Sequence, residues 1–174
     1  MRKALQILGV LNDEDVNWLV QNGLRETHAP GAVLIREGEP IASLIILLSG
    51  QLSVTRDNRK LAVLYSGEII GEIAMVDKQP PTATVTALQE SQVLNIERVV
   101  LEHRMLSDIG FSSRFYQAVA MFLADRLRST VGILGYGEGR PSADPDELDD
   151  DAVGNVSEAA ARFDRMLRCL HAAA

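Results

Sequence analysis

Cysteine, histidine and basic charge are all scarce in this chain, and each scarcity removes a class of function. A single cysteine, Cys169, among 174 residues allows no intramolecular disulfide and no multi-cysteine metal cluster. It fits a reducing, cytoplasmic setting. Lys and Arg number 17 against 24 Asp and Glu, for a formal net charge of −7. Neutralising nucleic-acid phosphates needs clustered bases, so no DNA contact is expected. The histidines His28, His103 and His171 are scattered, and with one tail cysteine they form no nucleophile–base pair. No catalytic residues are therefore assigned, and the chain reads as a non-enzyme. No apolar run approaches the roughly 18–20 residues of a membrane span, and the apolar stretch in MRKALQILGVLNDED is broken too soon for a signal peptide. The acidic run between Asp144 and Asp151 fails as a calcium loop, because Leu148 and Asp149 fall where an oxygen ligand and a glycine are required. No metal site is expected.

What remains is a chain 47% hydrophobic, rich enough for a buried core. A short helix is expected over 2–10 and a second from Asn12, an N-cap followed by three acids, to about residue 21. From residue 24 to 96 short β-rich runs alternate with glycine and polar turns, near 24–29, 32–37, 43–49, 51–56, 60–65, 67–70, 82–87 and 91–96. That spacing marks an all-β barrel or sandwich. Helical periodicity returns over 97–105 and 111–134, the second carrying an apolar stripe from Phe111 through Phe115, Phe122 and Leu127 to Val131. Residues 135–156 read as an acidic flexible linker. An amphipathic helix is expected over 157–172, with Ala159, Phe163, Met166, Leu167 and Leu170 on one face. The organisation is thus 1–134 as one domain, a linker over 135–156, and a C-terminal helix within 157–174.

The most informative stretch is GEIIGEIAMVDKQPPTATVTA, residues 67–87. A strand, a glycine and the start of a short helix aim backbone N–H groups at an anion. Gly71, Glu72, Ala74, Pro80, Ala83, Thr84, Val85 and Ala87 resemble the phosphate-binding cassette of cyclic-nucleotide-binding domains of the catabolite activator and cAMP-dependent kinase regulatory-subunit type. The resemblance extends over roughly residues 10–130 through SLIILLSGQLSV and PGAVLIREGEP. It implies a mainly β fold with flanking helices, a double-stranded β-helix (jelly roll) followed by a long dimerisation-type helix. It also implies ligand contacts at Gly71, Glu72, Ile73, Ala74, Thr82, Ala83 and Thr84, with Glu72 accepting from a ribose 2′-hydroxyl.

One position departs from that pattern. The arginine that clamps the cyclic phosphate is replaced by Pro81, which has neither a guanidinium nor a backbone N–H. The expectation is a stand-alone regulatory module, without a helix-turn-helix, that binds cAMP or cGMP weakly or not at all, with Lys78 the one nearby substitute cation. A homodimer through 111–134 is expected, with Phe115, Met121 and Phe122 at its seam. A protein partner for the C-terminal helix is a further expectation. The alternative is a haem- or other-ligand-sensing module in the same roll, for which His28, His103, Cys169 and His171 are the available ligand types.

Overall fold

The structure, a computed structural model, describes residues 5–134 and 150–172. Two short helices come first, α1 (Leu5–Val10) and α2 (Asp13–Asn22). Asn12 caps α2 reciprocally: the Asp15 N–H donates to Asn12 Oδ1 at 2.8 Å, and the Asn12 N–H donates to Asp15 Oδ2 at 3.0 Å. Two of the otherwise orphaned donors of the first turn are satisfied this way.

Eight strands follow: β1 (Leu24–His28), β2 (Val33–Ile35), β3 (Ser43–Ser49), β4 (Leu52–Arg56), β5 (Arg59–Leu64), β6 (Ile69–Ile70), β7 (Thr84–Ala87) and β8 (Ser91–Glu97). A six-residue helix, α3 (Glu72–Asp77), is inserted between β6 and β7. The strands form two antiparallel four-stranded sheets, ordered β1-β8-β3-β6 and β2-β7-β4-β5. Strand positions agree closely with the sequence expectation. Three are clearly shorter than expected: β2, β6 and β7. Gly67, with φ of 89°, turns the chain ahead of β6, and β7 pairs with β4 only from Thr84 on.

The apolar run of β3 explains the layering. Successive strand side chains point to opposite faces, and both faces of β3 are buried. Ile45 and Leu47 point into the roll with Leu52, Val54, Val85 and Val93. Leu44, Ile46 and Leu48 point outward, beneath a layer of helices. That layer contains α1, α2, α4 (Arg98–Ser107), α5 (Ile109–Leu134) and α6 (Asp150–Ala172). Phe111, Phe115, Ala118, Val119 and Phe122 of α5 are buried in this outer core.

Phe115 and Phe122 are therefore core residues of their own chain. Helical spacing is the same whichever surface covers a stripe, so it does not separate core from seam. Met121, the third expected seam residue, is exposed.

The C-terminal helix starts at Asp150 rather than near residue 157, so 150–156 are helical where a linker was expected. Asp150 and Asp151 suit a helix N-terminus, where the dipole favours acids. Residues 135–149 of the expected linker lie outside the described residues. The α6 stripe, Ala159, Phe163, Met166 and Leu170, is buried against the chain's own outer core. Arg162 anchors it: its Nη1 donates to the carbonyls of Leu8 (3.1 Å) and Gly9 (2.8 Å), and its Nε lies 3.3 Å from Asp13 Oδ1. These are last-turn carbonyls of α1, the groups a helix end leaves unpaired.

Candidate functional site

The site begins where β6 ends. Gly71 takes φ 90° and ψ −2°, a left-handed conformation that favours glycine. A Cβ there would sit 2.5 Å from the backbone carbonyl oxygen of Ser43. Both conformation and space exclude a side chain, so the chain can turn directly from the sheet into α3. The helix closes with the Met75 N–H donating to the Gly71 carbonyl (3.2 Å) and the Lys78 N–H to that of Ala74 (3.1 Å). The returning loop is tied to the β2–β3 connection. The Gly38 N–H donates to the Pro81 carbonyl at 2.8 Å, and the Glu37 N–H donates to Thr84 Oγ1 at 3.1 Å.

Between α3 and this loop lies a cavity of about 110 Å³. Its floor is the inner face of the roll, with Ile35, Val54, Ile70 and Val85. One wall is Gly71, Glu72, Ile73, Ala74 and Asp77; the other is Gln79, Pro80, Pro81, Thr82 and Ala83. Six of the seven residues expected at the site thus share one cavity, together with Pro81. Thr84 does not line it, because its hydroxyl pins the neighbouring turn instead.

The electrostatics are one-sided. Glu72 is 2% exposed, Asp77 joins it in the lining, and no Lys, Arg or His is among the lining residues. Lys78 is absent from the lining as well. Its charge is felt by Glu102, whose carboxyl is held below the usual range chiefly by a hydrogen bond from Arg98 and less by Lys78. The expected substitute cation is thus not among the residues that line the cavity. Asp77 and Gln79 are polar lining residues that the sequence does not single out. Both read as ordinary loop polarity, and Asp77 Oδ1 accepts from the Gln79 N–H at 2.9 Å.

The histidines and cysteine are elsewhere. His28 Nε2 lies 3.1 Å from Glu26 Oε2, His103 sits with Trp18 between α2 and α4, and Cys169 is exposed on α6. The side chain of His171 lies outside the described residues. Among the described residues no group of three or more His, Cys, Asp or Glu is arranged to hold a metal ion.

A family profile described as the cyclic nucleotide-binding domain matches residues 25–108, the whole roll and α4. Residues 25–108 belong to the cyclic nucleotide-binding domain family. Such a domain is a regulatory module rather than a catalytic one. The cGMP-dependent protein kinase of Eimeria tenella is 29% identical over 137 residues, which is 74% of this chain and 14% of that protein. The chain spans only 11% to 14% of the first curated relatives it matches.

Among solved structures, a cyclic nucleotide-binding domain from Methylobacillus flagellatus superposes with a TM-score of 0.70 at 22% identity, covering 79% of this chain and 84% of that one. The N-terminal domain of a transcriptional regulator from Streptomyces coelicolor gives 0.60 at 29% identity, covering 77% and 95%. The first of these likenesses speaks for the fold alone. The cavity lies where the cassette of this cyclic nucleotide-binding domain was expected from sequence. Among the described residues, no helix is long and apolar enough to cross a membrane.

Proposed function

We propose that this chain is a non-enzymatic regulatory module whose cyclic nucleotide-binding domain holds cAMP and cGMP weakly or not at all, and which signals through protein–protein contacts. The observation that carries the reading is the lining of the cassette cavity: two carboxylates, Glu72 and Asp77, and no cation, with Pro81 where the resemblance places an arginine. A charge-assisted hydrogen bond contributes roughly 1.5–3 kcal/mol. Loss of a bidentate guanidinium therefore costs on the order of 3–5 kcal/mol, about a hundredfold to a few thousandfold in affinity. Calorimetric titration of the wild type with cAMP and with cGMP tests this. Dissociation constants of about a millimolar or weaker are expected; micromolar binding would overturn the reading.

The protein contact we assign is a homodimer through α5. Its outward face carries Ile109 (83% exposed), Tyr116 and Leu127 (64% exposed), with the small residues Ser113 and Ala120 between them. Residues 109, 113, 116 and 120 follow at three- and four-residue spacing and Leu127 lies seven further on, which keeps all five on one face of a helix. Sedimentation equilibrium of the wild type and of Leu127→Asp tests it. A dimer that the substitution turns into a monomer is expected, and a monomeric wild type would rule the dimer out.

A further inference from the structure

A second cavity, of about 290 Å³, shares Ile35 with the cassette cavity and has a different lining. It is built from β2, the connection from Arg36 to Ser43, Ile45 of β3 and Asn95 of β8. Asn95 pairs with Ile45, an inner-core residue, so both side chains turn to the inner face of the roll. Val33, Ile35, Ile41, Ala42 and Ile45 make most of the lining apolar. Its charged members, Arg36 and Glu39, are exposed and face each other at 4.0 Å.

Asn95 is the polar exception. Its Nδ2 donates to Glu26 Oε1 at 2.7 Å, and Glu26 Oε2 lies 3.1 Å from His28 Nε2. A carboxylate oxygen only accepts, so this contact decides which end of the amide is nitrogen. Oδ1 is left as an acceptor. It is buried, and among the described residues no donor reaches it. An acceptor in that state is destabilising, and a donor brought to it removes the cost.

We propose that this second cavity is a ligand site for a small neutral molecule: a hydroxyl or N–H group that donates to Asn95 Oδ1, carried on an apolar body against Ile35, Ile41 and Ile45. The site is also placed to act on the cassette. Ile41 Cδ1 and the Ser43 carbonyl oxygen lie 3.1 and 2.5 Å from where a Cβ on Gly71 would stand. The connection that lines the second cavity also holds the cassette loop, since the Gly38 N–H donates to the Pro81 carbonyl and the Glu37 N–H to Thr84 Oγ1. A ligand that displaces Ile41 or this connection therefore displaces the turn into α3, and coupling between the two cavities runs both ways.

Benzyl alcohol and benzyl methyl ether test this on the full chain, because they share an apolar body and differ in the donor. Each is titrated while the backbone amide signals of Ile35, Ile41 and Ala42 are followed by NMR, with those of Gly71 and Ala83 recording the cassette. Saturable shifts in both sets are expected, with the alcohol binding about fivefold more tightly than the ether. Asn95→Leu, close in volume and without the acceptor, should erase that preference by weakening the alcohol alone. The wild-type comparison needs no variant and stands by itself.

Equal binding of alcohol and ether by the wild type would overturn the proposal. No saturable shift at Ile35, Ile41 and Ala42 with either probe would overturn it too, as would a preference that survives in folded Asn95→Leu. Saturation at those amides with silence at Gly71 and Ala83 would refute the coupling. None of these outcomes depends on whether the cassette cavity binds a nucleotide.

Discussion

Asp15 and Arg114 tie the start of the chain to its long helix, and removing the arginine has a calculable cost. Asp15 is 0% exposed. Its Oδ2 receives Arg114 Nε at 2.6 Å, and its Oδ1 receives Arg114 Nη2 at 2.9 Å. Among the described residues, the Asn12 N–H also donates to this carboxylate, at 3.0 Å. Arg114→Ala would strand a buried charge by removing both guanidinium bonds. Breaking such a pair by deleting one partner costs about 3–5 kcal/mol. Arg114 is itself 32% exposed, so water reaches the vacated space and the low end, about 3 kcal/mol, is expected. For a chain of this size that is a fall of about 6–12 °C in Tm. Urea unfolding of the wild type, Arg114→Ala, Asp15→Asn and the double variant gives the coupling directly. The double variant should lose clearly less than the two single losses combined, because the stranded charge is gone. A loss below about 1 kcal/mol for Arg114→Ala, or strict additivity, would mean that no buried charge is stranded.

Two further outcomes follow from the same geometry. Gly71→Ala should lower Tm and move the cassette, because the new methyl meets the rigid Ser43 carbonyl in a left-handed conformation; about 2 kcal/mol or more is expected, read by thermal unfolding. Stability should also fall in acid. The Asp108 carboxyl is held below its usual range, first by the Phe111 N–H (2.9 Å) and then by Arg104 and Arg114. A group whose pKa is depressed by folding contributes stability above its unfolded pKa and loses it as pH falls through the folded one. Urea midpoints should therefore decline below about pH 4, and Asp108→Asn should flatten that decline.

The strands were legible because β3 alternates between two cores and turns are written in glycine. Gly31, Gly38, Gly50, Gly67 and Gly71 all take positive φ. The α2 cap was legible because Asn12 and the acids behind it satisfy a local rule that needs no tertiary context. What the sequence hid depends on distance along the chain. Which face of α5 turns inward is decided by β3, α1 and α2, so Phe115 and Phe122 carried no sign of their direction. The burial of α6 was equally hidden, since Arg162 meets α1 across the length of the chain. At the site, Gly71, Glu72 and Pro81 of the motif line one cavity. Thr84 slipped out of it because neighbours on a strand face opposite ways, and Asp77 entered it because a helical turn gathers residues a loop would scatter.

If the cassette keeps its shape and wants only the guanidinium at position 81, Pro81→Arg restores binding. The substitution leaves the Pro81 carbonyl available for the Gly38 N–H and returns a guanidinium to a wall of the cavity that faces Glu72. Calorimetric titration of wild type and variant side by side with cAMP should show the variant binding at least about a hundredfold more tightly. Equal, weak binding by both proteins would contradict the account, because it would mean that the cavity has lost more than one side chain.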